Sequence, residues 1–389
     1  MRTVAVVTVG RSDYGLYRPI LTRLSADSRL RLQLVVGGMH LCPEFGWSVR
    51  EIEADGFTVA ERVQMLLSSD DPEAVSKSIG LGVIGYAQAF ARLQPDLLMV
   101  LGDRFEMFAA ALAALPFRIP VAHIHGGELT AGAIDDALRH SMTKLSHLHF
   151  VATDDAARRV AQLGEESWRI TICGAPGLDN VKTIPLMTPD EIAAQFGVRV
   201  DRPFLLCTFH PVTLEFDRTE WQVGELLAAL DSIGAPVVFT QPNADTGGRL
   251  VRRLIDEFLA THPLASFVGN FGTRGYFSIM SRAAAMVGNS SSGLIEAPTF
   301  ALPVVNIGTR QAGRVRAKNV IDVGYYKDEI TAGIVRAVAP EFRATLEGLR
   351  NPYGDGRAAD IVVARLADVA LDHELLVKRF ADAAVPVHL

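Results

Sequence analysis

TVAVVTVGRSDYGLYRPI, residues 3–20, decides the fold class. The stretch 3–9 is apolar almost without interruption, as expected of a strand buried on both faces rather than one with a wet side. Gly10, Arg11, Ser12 and Asp13 then break the run, and an amphipathic helical pattern begins at once. Strand, tight turn and helix in that order open a βαβ unit of a parallel sheet. Glycine and small polar residues are enough to make such a turn. An arginine at the mouth of a strand is not needed for it, so Arg11 is a candidate ligand residue.

The same pattern recurs along the chain. Apolar runs at 32–36, 96–101, 120–124, 148–151 and 170–172 are expected strands, with helical stretches such as 48–55 and 105–114 between them. A second series follows at 204–208, 237–240, 266–268, 284–287 and 304–307. Between the series lies GAPGLDNVKTIPLMTPDE, 174–191, rich in proline and glycine. It closes on Thr188, Pro189 and Glu191, the spacing of a capping box with proline at the first helical position. The expected architecture is α/β, with two Rossmann-like doubly wound domains. They span 1–178 and 179–370, and 371–389 forms a C-terminal helix packing back on the first domain. Ligands of such sheets sit at the carboxyl ends of strands, so two domains of this kind place an active site in the cleft between them.

Composition narrows the function classes. The 389 residues are 49% hydrophobic and 21% charged, enough to bury a large core. A net charge of −6 gives no general attraction to nucleic acid or an anionic membrane, so a bound phosphate must be held by local arginines and backbone dipoles. Cys42, Cys173 and Cys207 are few and far apart, as in a reduced, cytoplasmic protein. No stretch reaches the ~18 apolar residues of a membrane span. The apolar amino terminus is too short for a signal peptide, and polar residues stand where a cleavage site would be.

The expected strand ends carry polar groups beside glycine or proline almost throughout. GDR puts Asp103 and Arg104 directly after a buried strand, where the carboxylate caps the next helix, does chemistry, or both. HIHGGELTAGAIDDALRH is densest, with His123, His125, Glu128, Asp135, Asp136 and His140. Imidazoles and carboxylates first suggest a metal. The Gly126-Gly127 bend and the missing H-E-x-x-H spacing favour an acid–base cluster without metal, in which crowded carboxylates raise one another's pKa. His210-Pro211 is either a phosphate donor or an idle loop histidine. GNSSSGLIEAPTF, 288–300, reads as a diphosphate cradle at a helix start or as a serine cap. Glu296 there is a ribose ligand or a solvated helix residue. No Gly-x-Gly-x-x-Gly follows a strand, and no cofactor is expected.

VGRSDYG, GGMHL, LGDRFE, HIHGGELTAGAIDDALRHSMTKLSHLHF, FHPVT, QPNADTG, GNSSSGLIEAP and NIGTRQAGRVR together resemble the hydrolysing UDP-N-acetylglucosamine 2-epimerases of sialic-acid-type sugar pathways. The resemblance runs from about residue 3 to about residue 325. It implies a glycosyltransferase-B type fold with the UDP-sugar in the interdomain cleft. It also implies elimination of UDP to 2-acetamidoglucal, then hydration to N-acetylmannosamine. Carried over residue by residue, it places Arg11, His210, Asn243, Ser290, Ser291 and Arg310 about UDP and Glu296 on the ribose. Asp103, Arg104 and Asp135 fall on the catalytic side, with Asp136 adjacent. Many members, the animal enzymes included, have glutamate where this chain has His125, so His125 or Glu128 supplies that proton transfer. UDP-N-acetylglucosamine is the expected substrate. The alternatives are UDP-N,N′-diacetylbacillosamine on the legionaminic acid route, a GDP sugar, or sugar transfer on the same fold. A nucleotide-sugar sensor without chemistry is a further class. The resemblance also implies a homodimer or homotetramer.

Overall fold

A computed structural model of the chain describes residues 1–69, 71–130, 134–242 and 248–382. It divides into two units, Met1–Asp179 with Gly356–Leu389, and Asn180–Asp355. The first is built on a seven-stranded sheet. Its strands are β1 (Arg2–Thr8), β2 (Leu30–Gly37), β3 (Val59–Val63), β4 (Leu97–Leu101), β5 (Val121–Ile124), β6 (Leu148–Val151) and β7 (Ile170–Ile172). They pair in parallel in the order β3-β2-β1-β4-β5-β6-β7. The chain winds outward one way from β1, then returns to β4 and winds the other way. Loops after β1 and β4 therefore leave the sheet on opposite faces, which opens a crevice at that switch point.

The second unit repeats the plan with β8 (Leu205–Thr208), β9 (Val237–Thr240), β10 (Ala265–Val268), β11 (Ala285–Gly288), β12 (Val304–Ile307) and β13 (Val320–Val323). Their order, β10-β9-β8-β11-β12-β13, puts the switch between β8 and β11. Helices cover both faces, which is why the central strands β4, β5, β6, β8, β11 and β12 are buried along their whole length. Thr188 accepts from the Glu191 N–H, and Glu191 accepts from the Thr188 N–H at 2.7 Å, so the capping box is formed.

Two strands were not expected from the sequence, β3 and β13. Both are sheet edges with one side open, so each carries charge in place of a continuous apolar run. Glu61 of β3 pairs with Arg92, and Asp322 of β13 with Arg316.

The expected second-domain boundary at 370 is corrected, because the chain re-enters the first unit at Gly356. The helix Ala358–Asp368 lays Ala358, Ala359, Val362, Val363 and Leu366 into the first unit's core. Its first turn is closed by the Asp179 carboxylate, which accepts from the Ala358 and Ala359 N–H groups at 2.9 and 2.7 Å. Of the expected helix over 371–389, the described residues form a single turn at His373–Leu376, and 383–389 lie outside the described residues. This segment is held by side chains. Arg169 donates to the carbonyls of Leu375 and Glu374 at 2.8 Å each. Lys378 donates to the Ser146 carbonyl at 2.6 Å and sits 2.8 Å from the buried Glu165 carboxylate. Among the described residues no helix is long and apolar enough to cross a membrane.

Candidate active site at two strand switch points

In the first unit the turns after β1, β4 and β5 and the helix Ile134–Leu145 bring one charged cluster together. Gly102 follows β4 with φ +77, a conformation glycine adopts without strain. The turn is fixed by His123, whose Nε2 donates to the Gly102 carbonyl at 2.8 Å. Burial pushes the His123 pKa down to about 3, so the ring stays neutral and holds the backbone that presents Asp103. His123 and His125 therefore do different work: His123 lies within β5, and His125 is the first residue beyond it.

Asp103 does not cap the next helix. The cap of Phe105–Ala114 is Arg104, without a side-chain bond. The Asp103 carboxylate instead pairs with Arg139, which also donates to Thr130 Oγ1 at 3.0 Å. Arg139 is 5% exposed. Its Nη1 lies 3.6 Å from Glu128, and its Nε and Nη1 have no hydrogen-bond acceptor among the described residues. A buried guanidinium so placed faces two carboxylates.

His125 has φ +63, left-handed backbone that a histidine adopts at a cost. Its Nδ1 lies 2.7 Å from Glu128 Oε1. One line of charged and polar groups thus runs His125, Glu128, Arg139, Asp103. Asp135 sits one helical turn before Arg139. Its pKa is raised, chiefly by burial and then by the negative charge of Asp103. Asp136 turns away, accepting from the Thr130 N–H at 2.8 Å. Arg104 donates to the fully buried Glu106 at 3.0 Å, and its Nη2 is 3.1 Å from Met39 Sδ.

Three residues of this cluster were not read as functional from the sequence: Arg139, Glu106 and Asp13. Asp13, 3% exposed, accepts from Thr8 Oγ1 at 2.6 Å and the Val9 N–H at 2.9 Å, and its Oδ1 has no hydrogen-bond partner among the described residues. Burial pushes its pKa up to about 6, against the pull of those bonds and of Arg104. Thr8 also bonds His40 Nε2 at 3.0 Å, and His40 Nδ1 bonds Ser48 at 2.7 Å. Asp13 read as an ordinary polar turn residue. Arg139 could have been found, since position 139 shares a helix face with Asp135. Arg11, expected on a diphosphate, donates from Nε to Glu51 at 3.0 Å beside a pocket.

In the second unit, Asn289 joins the turns after β8 and β11. Its Oδ1 accepts from the His210 N–H at 2.7 Å, and its Nδ2 donates to the His210 carbonyl at 2.8 Å. The Asn289 carbonyl in turn accepts from Arg310 at 3.2 Å and from Gln311 at 2.8 Å. His210, Ser290 and Arg310 are thus gathered around one buried asparagine. Gly288 makes this possible. A Cβ there would stand 1.9 Å from the Thr208 carbonyl oxygen, so only glycine lets the two strand ends meet. The helix after the serines is one turn, Ser292–Ile295, too short for a strong dipole. Ser291 caps it without a side-chain bond, and Glu296 lies at its far end. Asn243 lies outside the described residues.

Residues 22–367 match the family model described as UDP-N-acetylglucosamine 2-epimerase. The chain belongs to the UDP-N-acetylglucosamine 2-epimerase family. Within that family it is 36% identical to the UDP-N,N′-diacetylbacillosamine 2-epimerase (hydrolyzing) of Legionella pneumophila, over 97% of this chain and 99% of that one. It is 38% identical to the GDP/UDP-N,N′-diacetylbacillosamine 2-epimerase (hydrolyzing) of Campylobacter jejuni, over 82% of this chain and 84% of that one. The UDP-GlcNAc 2-epimerase of Neisseria meningitidis, solved bound to UDP-GlcNAc, superposes with a TM-score of 0.80 at 18% identity. That match covers 94% of this chain and 99% of the Neisseria one, so the family's two-domain, glycosyltransferase-B type fold is shared.

Proposed function

We propose that the chain is a hydrolysing UDP-sugar 2-epimerase acting on UDP-N,N′-diacetylbacillosamine. Inverting C2 of a 2-acetamido sugar needs a proton removed from one face and a proton returned to the other. Elimination takes the C2 proton and expels UDP from C1, leaving a C1–C2 double bond. Hydration returns a proton to C2 and places water's hydroxyl on C1. Two acid–base groups are required, and no electrons are exchanged. The observation that carries the reading is the cluster of Asp103, Glu128, His125 and Asp135 around the buried Arg139 at the first sheet's switch point. Asp103 and Asp135 are read as one proton-handling set, and His125 with Glu128 as the other. The departing UDP is anionic, and each fixed donor near it is worth roughly 10²–10³ in rate. His210, Ser290, Ser291 and Arg310 are assigned to it, with Glu296 on the ribose. Arg11 is left out of this set because Glu51 already neutralises its charge.

The substrate choice is supported by the two relatives named for the diacetylated sugar. The family description supports UDP-N-acetylglucosamine as the second reading. The experiment is incubation of purified protein in D₂O with each UDP-sugar and no acceptor. UDP and a free sugar epimerised and deuterated at C2 are expected. UDP release without deuterium at C2 would sink elimination and hydration. Turnover that appears only when an acceptor is added would mean a glycosyltransferase instead.

A further inference from the structure

We propose that Lys378, in the C-terminal segment, is a positioning residue for the acid–base cluster, because it caps the helix that carries Asp135 and Arg139. This rests on the 2-epimerase reading above. The last carbonyls of a helix have no partner within it, and a cation there also meets the negative end of the helix dipole. For the helix Ile134–Leu145 that cation comes from 234 residues further along the chain. Lys378 Nζ donates to the carbonyls of Lys144 at 2.8 Å and Ser146 at 2.6 Å, and lies 2.8 Å from the Glu165 carboxylate. The Thr143 carbonyl is at 3.5 Å. An ammonium has three N–H donors, and three short acceptors surround this one. The Lys378 side chain is 17% exposed and that of Glu165 fully buried, so water competes little for these bonds.

The chain on either side of Lys378 is fixed as well. Arg169 holds the carbonyls of Glu374, Leu375 and, at 3.2 Å, Val377. The Ala381 N–H donates to the Gly164 carbonyl at 3.0 Å. Phe380 lies so close over Gly164 that a Cβ there would stand 2.4 Å from its ring. Lys378 therefore reaches the helix end from a backbone that is already held.

Two routes lead from that end to the cluster. The first is the helix itself, whose earlier turns carry Arg139 and Asp135. The second runs through Thr143 in its last turn. Thr143 Oγ1 donates to the Arg139 carbonyl at 3.1 Å and lies 3.4 Å from His123 Nδ1. His123 in turn fixes the Gly102 carbonyl and with it the turn that presents Asp103. Glu165 adds a brace from below, since it bonds His149 at 2.9 Å and His149 pairs beside His123 in the sheet. Both carboxylates of the first proton-handling set thus depend on backbone that Lys378 ties down.

The test compares wild type, Lys378→Met and the double variant Lys378→Met with Glu165→Gln. Kinetics are run on the UDP-sugar that wild type hydrolyses, at a temperature where circular dichroism shows all three folded. Amide hydrogen exchange is read by mass spectrometry. In Lys378→Met, kcat should fall about tenfold or more with KM and UDP affinity within twofold, since a misplacement of about 1 Å can cost 10²-fold. Exchange across 134–145 should quicken about tenfold. The double variant removes both buried charges together, so it should regain melting temperature but not kcat. Three results each overturn the inference: kcat within twofold of wild type in Lys378→Met, unchanged exchange across 134–145, or kcat restored in the double variant. Failure of both variants to fold overturns it too, because Lys378 then serves stability alone. A wild type that releases UDP from neither sugar removes the parent reading before any variant is made, and exchange across 134–145 still shows whether Lys378 holds the helix.

Discussion

Nδ1 of His125 lies 2.7 Å from Glu128 Oε1, and the other oxygen of Glu128 lies 3.6 Å from Arg139. The carboxylate thus faces a cation on one side and an imidazole on the other. That places the Nδ1 proton and leaves Nε2 to exchange protons elsewhere. On the proposed mechanism Glu128 acts through His125 as a positioning residue.

Glu128→Gln should lower kcat by about 10²-fold, the scale of a misplaced general acid or base, with UDP affinity unchanged. A carboxamide can hold the ring in the wrong tautomer. Initial rates and UDP calorimetry check this, and a wild-type rate would remove Glu128 from the proton chemistry.

Arg139 and Asp103 invite a double-mutant cycle. Arg139→Met should destabilise by about 3–5 kcal/mol, because the charges it balances are left uncompensated. Asp103→Asn should lose turnover by about 10²-fold with little effect on UDP binding. The double variant should recover part of the stability lost in Arg139→Met. Denaturant melts of all four proteins read the coupling, and strict additivity would contradict the ion pair.

Asn289→Ala removes both bonds to the His210 backbone. Each buried group left unpaired costs about 1–3 kcal/mol, and the His210 turn should loosen. UDP affinity should fall at least tenfold, whereas Asn289→Asp keeps the acceptor and should fall less. Affinity within twofold of wild type in Asn289→Ala would detach this turn from the nucleotide.

Asp13 makes a pH signature. Its folded pKa, pushed up to about 6, exceeds the unfolded value, so the folded state binds the extra proton between about 4 and 6. Its contribution to stability is therefore present at the acid end and lost as pH rises through that window. A shift of about two units corresponds to about 3 kcal/mol. Asp13→Asn keeps an acceptor for Thr8 and Val9 without the charge. Its stability relative to wild type should rise between pH 4 and 7. The buried histidines have the opposite slope but are common to both proteins. A difference flat with pH would mean Asp13 titrates normally.

The central strands and most strand-end groups were legible because burial on both faces leaves an unbroken apolar run. Edge strands β3 and β13 were not, since one open side lets Glu61 and Asp322 replace that signal. Asp103 was legible from its place after a strand. Arg139 was marked only by sharing a helix face with Asp135, because an arginine inside an amphipathic helix looks solvated until the fold buries it against Asp103. The return of 358–368 to the first unit was hidden for a related reason. An apolar helix face declares that it packs, not against which sheet.

That return sets an order of assembly on the ribosome. The second unit is one continuous stretch, Asn180–Asp355, and can close as soon as it emerges. The first unit cannot, because the last segment of its core is synthesised after the whole of the second. Until then Asp179 has no helix to cap and Arg169 lacks the carbonyls of Glu374 and Leu375. Nascent chains halted between 180 and 355 should thus expose apolar surface to chaperones and proteases from the half made first.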